Sequence, residues 1–255
     1  GALVIIITGI LDDKFDLRPV IKFGGQVIAA TFLISSGLII EKFTLPVIGV
    51  VDLGVFSVLI TILWVVGITN AVNFMDGLDG LATGISTIAI STMLIMAIID
   101  MQVFAAYLCV VLIGANIGFL YHNFYPAKIY MGDTGSNFLG YMIAVISILG
   151  LFKNIALLGF VIPVVVLAVP IFDTLFAIIR RVRNKQSIST PDNKHIHYQL
   201  IRVGLTHRQS VLVMYAFSVL FGIIAVLFAK TSYTITLIVL IIALFLIHIL
   251  AEIAG

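Results

Sequence analysis

The chain has 255 residues, of which 62% are hydrophobic and 10% are charged, with a formal net charge of +2 and a mean hydropathy of +1.24. A soluble domain keeps about a quarter of its residues charged, so this composition excludes a soluble globular protein and indicates a polytopic membrane protein. The single cysteine, Cys109, lies in an apolar stretch, which excludes a disulfide and a cysteine-based metal site.

The chain begins with an apolar stretch from Ala2 to Leu11, and residue 1 is Gly rather than Met. Ten residues are too few to cross a bilayer, which takes about 20. We interpret this stretch as the end of a helix that has lost its beginning. A cleaved signal peptide is the alternative, but no basic segment precedes the apolar residues.

Eight longer apolar stretches follow, and short polar turns separate them. They cover residues 21–40, 55–71, 81–99, 102–122, 136–151, 155–181, 209–229 and 234–251. We therefore expect an all-α, polytopic transmembrane helical bundle of about nine helices, the first of them truncated. The whole chain, residues 1–255, is predicted to form a single domain that lacks the first N-terminal helices.

The polar turns differ in charge from one side of the bundle to the other. The turns at 12–22, 70–80, 122–135 and 180–208 hold 11 of the 14 Lys and Arg residues, whereas the opposite turns hold only Lys42, Lys153 and Lys230. The positive-inside rule makes the first set cytoplasmic. Residues 41–54, on the other side, contain Pro46, Gly49 and alternating apolar residues, which favours a short hairpin or a surface loop.

The first candidate segment of the site is GILDDKFDL, from Gly9 to Leu17. Asp12 and Asp13 end the truncated helix, and Lys22 follows in the next stretch. Two adjacent carboxylates repel each other, and a nearby metal or cationic group stabilises them. A polar helix end that only marks the membrane interface is the alternative.

The second segment, NAVNFMDGLDGLATG, runs from Asn70 to Gly84 and is more specific. Asp76 and Asp79 are three residues apart and would share a face on a helical turn. Glycines beside them allow a close approach of backbone to a ligand, and a helix N-terminus favours phosphate. A helix end needs a single capping residue, so the Asn73, Asp76 and Asp79 group indicates a phosphate and metal site.

The third segment, NFYPAKIYMGDTGSN, runs from Asn123 to Asn137. Asp133 directly precedes an apolar helix that Thr134 and Ser136 could cap. Tyr125 and Tyr130 could stack on a base, although tyrosines are also common at membrane interfaces.

The fourth segment, PDNKHIHYQL, carries His195 and His197 in a basic turn. Two residues apart, these histidines point the same way only on an extended segment, and histidine can donate to phosphate near neutral pH. Just before this turn, Pro163 and Pro170 predict a kinked helix. Asp173 in that helix is interpreted as a tie between helices near the interface, with a functional role as the alternative.

Carboxylates in this number, without cysteine, favour Mg²⁺ or Mn²⁺ over zinc, and together with basic side chains they are typical of phosphoryl transfer. A secondary transporter is the rival, but transporter sites lie near the midplane of the bilayer. A CDP-alcohol phosphotransferase is less favoured, because Ala82, Thr83 and Ile85 stand where its signature would continue.

At these four segments the chain resembles the polyprenyl-phosphate N-acetylhexosamine-1-phosphate transferases. The superfamily includes the peptidoglycan translocase and the enzymes that begin teichoic acid and O-antigen synthesis. The His195–Ile196–His197 triplet is similar to the branch that transfers GlcNAc-1-phosphate rather than to the translocase. Members have about two further N-terminal helices.

The resemblance implies a role for each matching residue. Asp133 corresponds to the Mg²⁺ ligand, with Asp76 beside it, and Asp12 and Asp13 to carboxylates that deprotonate or position the lipid phosphate. His195 completes the predicted catalytic set. The remaining predicted substrate-binding residues are Lys22, Asn73, Asp79, Asn123, Tyr130, Arg180 and His197.

The resemblance also implies the reaction and its partners. An N-acetylhexosamine-1-phosphate, here predicted to be GlcNAc-1-phosphate, passes from a UDP-sugar to undecaprenyl phosphate and UMP is released. The expected location is the bacterial inner (plasma) membrane, with the site on the cytoplasmic face among membrane lipids and with no nucleic-acid partner. The peptidoglycan phospho-MurNAc-pentapeptide translocase is the alternative, and the formation of a homodimer is left open.

Overall fold

The computed structural model describes residues 1–45, 49–150, 161–185 and 195–228, and a few isolated positions between 238 and 252. Within these residues there are ten α-helices, one two-stranded sheet and one 3₁₀ turn, Gly54–Phe56. The helices are α1 Ala2–Phe15, α2 Pro19–Ser35, α3 Ser57–Phe74, α4 Leu81–Ile99, α5 Val103–Asn123, α6 Gly132–Gly150, α7 Val161–Val166, α8 Ala168–Arg183, α9 Ile196–Arg202 and α10 His207–Phe228. The strands are β1 Lys42–Leu45 and β2 Gly49–Asp52.

The predicted all-α membrane bundle is confirmed. In the described part of the chain, four helices are long and apolar enough to cross a bilayer: Gly54–Phe74, Leu81–Ile99, Val103–Asn123 and His207–Leu227. Helix α2 is apolar but shorter, with 17 residues. The predicted span 234–251 falls almost entirely outside the described residues. The protein is a multi-pass membrane protein.

The kink predicted within residues 155–181 is present in the described part of that stretch, where the helix is broken at Leu167. Residues 161–183 form two helices, α7 and α8, which are separated at Leu167 with φ −100° and ψ 20°. Pro170 has no N–H to donate to the carbonyl of Val166, which weakens the helix at this place. This break and helix α9, which was not predicted, raise the helix count above nine in the described chain.

The predicted hairpin in residues 41–54 is confirmed. Strands β1 and β2 are antiparallel and pair Lys42 with Asp52 and Leu45 with Gly49. Lys42 Nζ lies 3.3 Å from Asp52 Oδ2. Since α2 leads to this hairpin and α3 leads back from it, the hairpin lies at the end of the bundle opposite to the first residues of α2.

Two glycines allow α1 and α3 to pack closely against α6. A Cβ atom on Gly9 would lie 2.4 Å from Thr134 Cα, and one on Gly140 would lie 2.7 Å from Thr69 Cα. Small residues at helix contacts let two backbones approach in this way. The polar ends of α1, α3 and α6 are thereby brought within hydrogen-bonding distance of one another.

The predicted convergence of the polar turns at one end of the bundle is confirmed for the turns at 12–22, 70–80 and 122–135. Near the start of α2, Lys22 contacts Asp133 in the first turn of α6, and so does Asn73 near the end of α3. The end of α5 contacts the start of α4, since Asn123 Oδ1 accepts the N–H of Gly80. These helix ends form one polar surface.

Candidate functional site

A cavity of about 390 Å³ opens where the end of α3, the start of α6 and the loops 75–80 and 124–131 meet. Its wall includes seven of the residues that the sequence predicts for the site: Asp13, Asn73, Asp76, Asp79, Asn123, Tyr130 and Asp133. Gly77, Leu78, Met131 and Gly132 complete the lining. The predicted convergence of the second and third segments is therefore confirmed.

Asp133 is held by two side chains from other helices. Lys22 Nζ lies 3.2 Å from Oδ2, and Asn73 Nδ2 donates to Oδ1 at 2.7 Å. The Asn73 amide also donates to Ser136 Oγ, one turn further along α6. The orientation of the Asp133 carboxylate is thus fixed by α2 and α3 together.

Asp12 lies behind this carboxylate and is only 4% exposed. Its Oδ2 is 2.6 Å from Lys22 Nζ, and its Oδ1 accepts the N–H of Leu17 at 2.9 Å. Lys22 therefore bridges Asp12 and Asp133. Gln26, which the sequence reasoning missed, continues the polar layer by donating to Asn137 Oδ1 at 3.0 Å.

Asp13 caps helix α6 from the neighbouring helix α1. Its Oδ1 accepts the N–H of Asp133 at 2.7 Å, and its Oδ2 accepts both the N–H and the hydroxyl of Thr134. The sequence pointed to Thr134 and Ser136 as caps, which is wrong, because Ser136 Oγ donates to the carbonyl of Gly132. Asp13 thereby satisfies the orphan N–H groups that begin α6 and sets the position of Asp133.

The Asp13→Asn substitution should lower the free energy of unfolding by about 0.5–2 kcal/mol, because an amide has only one acceptor oxygen and the start of α6 loses a capping partner. Thermal unfolding in detergent micelles measures the change. The matched control is Asp16→Asn, since Asp16 is exposed and has φ 48°, a conformation that Asn tolerates. Equal melting temperatures for the two variants would contradict the capping role.

Asp76 lies in the turn between α3 and α4, not on a helix. Its surroundings disfavour the ionised form of its carboxyl group. Burial, together with the nearby charges of Asp133 and Asp79, raises its pKa to about 6. A carboxylate in this state gains from a cation placed beside it.

Because the folded-state pKa of Asp76 is about 6 and the ordinary value is 3.8, ionised Asp76 costs stability above pH 6. Asp76→Asn should therefore raise the free energy of unfolding at pH 8 by up to about 2–3 kcal/mol, and the melting temperature with it. The gain should shrink as the pH falls through 6 and vanish near 4. Calorimetry in EDTA measures both effects, and a gain that does not depend on pH would contradict the argument.

Asp79 and Asn123 hold the loop 124–131 against the start of α4. Asp79 Oδ2 accepts the N–H of Ala127 at 2.9 Å. Asn123 is 3% exposed, and it accepts from Gly80 N and Thr83 Oγ1 while donating to the carbonyl of Ile129. These bonds give both residues a positioning task, and their contact with a substrate stays a prediction.

The aromatic residues of this loop divide between rim and support. Tyr130 lies on the cavity rim and is 76% exposed, so its ring face is open to a ligand. Tyr125 stacks instead on His207 with ring centroids 4.5 Å apart, and its carbonyl accepts from Arg208. Tyr125 therefore ties the loop to α10.

The two predicted histidines are both buried. His195 Nδ1 lies 2.8 Å from Asp173 Oδ2, which confirms that Asp173 ties helices together. The rings of His195 and His197 are almost parallel, at 7°, with centroids 5.7 Å apart. Burial lowers the pKa of His197 to about 4 despite the charge of Asp173, so its ring is neutral at pH 7. Arg180, in the last turn of α8, is not among the residues that line the cavity.

The donor set of the cavity fits a hard divalent cation that shares its coordination with a ligand. Among the described residues, no group of three or more His, Cys, Asp and Glu side chains is arranged to hold a metal alone. Mg²⁺ needs no such cage, because it is commonly bound by one or two carboxylates together with phosphate oxygens and water. Asp133 and Asp76 are the two predicted ligands in the lining.

Comparison with known proteins adds a family to this geometry. The family model described as glycosyl transferase family 4 matches residues 1–151. The probable undecaprenyl-phosphate N-acetylglucosaminyl 1-phosphate transferase of Bacillus subtilis (strain 168) is 47% identical over 100% of this chain and 72% of its own length. The decaprenyl-phosphate N-acetylglucosaminephosphotransferase of Mycolicibacterium smegmatis is 38% identical over 91% of this chain and 62% of its own length.

A relative that is named for a different transfer reaction matches less of the chain. The phospho-N-acetylmuramoyl-pentapeptide-transferase of Listeria monocytogenes serotype 4b is 46% identical, but only over 50% of this chain and 41% of its own length.

Proposed function

Since the chain belongs to glycosyl transferase family 4 and is a membrane-embedded transferase, we propose that it transfers GlcNAc-1-phosphate from UDP-GlcNAc to undecaprenyl phosphate and releases UMP. The observation that carries the proposal is the cavity in which Asp133, Asn73 and Asp76 face one space beside the bridging ammonium of Lys22. The name of the Bacillus subtilis relative, which matches the whole chain, gives the same acceptor, undecaprenyl phosphate, and the same transferred group.

In the proposed step an oxygen of the lipid phosphate attacks the sugar-bearing phosphorus of the donor. One P–O bond forms, and the bond from that phosphorus to the oxygen of UMP breaks, so that a lipid-diphosphate-sugar and UMP result. Lys22 neutralises charge that develops beside Asp133. Asp12 and Asp13 keep the Asp133 carboxylate in place, and the exposed ring of Tyr130 offers a stacking surface for the uracil.

Mg²⁺, or Mn²⁺ in its place, completes the proposed site. When bound, it would neutralise charge on the diphosphate oxygens and orient them for displacement. Asp133 and Asp76 would hold it. The raised pKa of Asp76, about 6, supports this assignment, because a carboxylate crowded by burial and by two like charges favours a cation as its neighbour.

The proposed site faces the cytoplasm at the plasma membrane of a bacterium. In the sequence, the turns assigned to this side hold 11 of the 14 Lys and Arg residues, which supports this orientation. UDP-sugars are found on that side of the membrane.

Asp133→Ala should abolish UMP release in the full-length enzyme. We expect a loss of at least ~10³-fold in kcat, because metal binding contributes several kcal/mol of transition-state stabilisation. Release of UMP from UDP-GlcNAc and undecaprenyl phosphate in detergent measures it. The control is Asp52→Ala, which removes a carboxylate from the hairpin at the opposite end. Activity of Asp133→Ala within a few-fold of wild type would reject the assignment.

The choice of sugar donor separates the proposal from the peptidoglycan reaction. With radiolabelled donors, label from UDP-GlcNAc should enter lipid at least ~10²-fold faster than label from UDP-MurNAc-pentapeptide, since a site built for one sugar leaves polar groups unpaired with another. The reverse preference would favour the phospho-N-acetylmuramoyl-pentapeptide transfer for which the Listeria relative is named. Solute flux into proteoliposomes without label transfer would instead favour a transporter.

A further inference from the structure

The carboxylate of Asp173 makes two hydrogen bonds to the start of α9. Asp173 lies inside α8 and is 1% exposed. Its Oδ2 is 2.8 Å from His195 Nδ1, and its Oδ1 accepts the backbone N–H of Ile196, also at 2.8 Å. One buried carboxylate therefore holds both the imidazole ring and the first turn of α9.

This pair of bonds determines which nitrogen of His195 carries the proton. An ionised carboxylate can only accept, so Nδ1 must donate and carries the hydrogen. The bond to Ile196 prevents the carboxylate from turning away. Nε2 is then the nitrogen that remains for a ligand.

The imidazole ring of His195 lies near the end of α3, where the turn that lines the cavity begins. The ring of Phe74, which ends α3 two residues before Asp76, lies 6.3 Å from the imidazole. His197 stacks on the imidazole of His195 and is neutral at pH 7. The guanidinium carbon of Arg181 lies 5.9 Å from the centroid of the Phe74 ring. Among the described carboxylates, Asp173 is the one bonded to His195.

We propose that Asp173 is a positioning residue for the transfer reaction, which acts by holding His195 with its proton on Nδ1 and Nε2 directed to the substrate phosphates. Carboxylate–histidine pairs fix ring orientation and tautomer in this way. The inference rests on the proposed function for the role of His195, but the hold of Asp173 on the ring is independent of it.

Asp173→Asn is the informative variant, because one amide cannot accept from both Ile196 and Nδ1. If the backbone bond is kept, the amide N–H faces Nδ1 and the proton moves to Nε2. We expect kcat for UMP release to fall about 10²-fold. In a His195→Gln background the same substitution should cost less than about threefold, since residues that act as a unit are not additive. Equal losses in both backgrounds would overturn the proposal.

The matched control is Thr174→Val, the neighbouring buried residue of α8. The Thr174 hydroxyl has no hydrogen-bond partner among the described residues, and Val has nearly the same shape. Thr174→Val should therefore keep the wild-type kcat. A loss equal to that of Asp173→Asn would show that α8 responds to any substitution and would overturn the positioning role.

A second measurement does not depend on activity. In protein labelled with ¹⁵N-histidine, the His195 signals, assigned by their loss in His195→Gln, should report a protonated Nδ1 in wild type and a protonated Nε2 in Asp173→Asn. An unchanged Nδ1–H signal would overturn the proposal. If the proton moves from Nδ1 to Nε2 in Asp173→Asn but the wild-type enzyme releases no UMP, the proposed function is refuted. The hold of Asp173 on the His195 ring is then still supported.

Discussion

The ammonium group of Lys22 lies between two carboxylates, and the geometry of the site depends on it. Asp12 is almost completely buried, and its Oδ1 accepts the N–H of Leu17. Burial and the adjacent Asp133 carboxyl raise the pKa of Asp12, whereas Lys22 opposes them. A buried ionised carboxylate without a cation costs several kcal/mol, and a second carboxylate nearby raises this cost. Lys22 offsets both and ties α1, α2 and α6 together at one point. The polar ends of these three helices are therefore held together by charge as well as by packing.

Close packing of helices makes this ion pair geometrically feasible. Gly9 lets α1 approach α6 so closely that Asp13 reaches the first N–H groups of α6. The same packing makes the ionised form of Asp76 unfavourable, because burial and the nearby charges of Asp133 and Asp79 raise its pKa. A site that needs a cation and a diphosphate must keep like charges close together before they bind. The close packing of the helices holds these charges in place.

The sequence predicted which residues share a surface but not how they contact one another. The distribution of Lys and Arg among the polar turns was enough to place Asp13, Asp76 and Asp133 at one end. The partners of Gln26 and Lys22 on α6 lie 111 residues away, and they depend on how each helix is rotated. Helices that are apolar on every side give no signal of that rotation.

The same limit explains why the role of Asp13 and the helix α9 escaped prediction. A cap supplied by a neighbouring helix leaves no local signature, unlike a Ser or Thr before an apolar run. Helix α9 has only 7 residues, and its first N–H groups are satisfied in part by Asp173, 23 residues earlier. Short helices are marginal without tertiary contacts, so their existence depends on such distant partners.

The two sides of the site are anchored by the same physical device. Asp13 from α1 accepts the N–H groups that begin α6, and Asp173 from α8 accepts an N–H that begins α9. In each case a carboxylate from one helix satisfies the positive end of another and thereby orients a residue with predicted chemistry, Asp133 or His195. Because capped helix ends resist displacement, both groups can keep their positions while the exposed rim at Tyr130 adapts to a ligand.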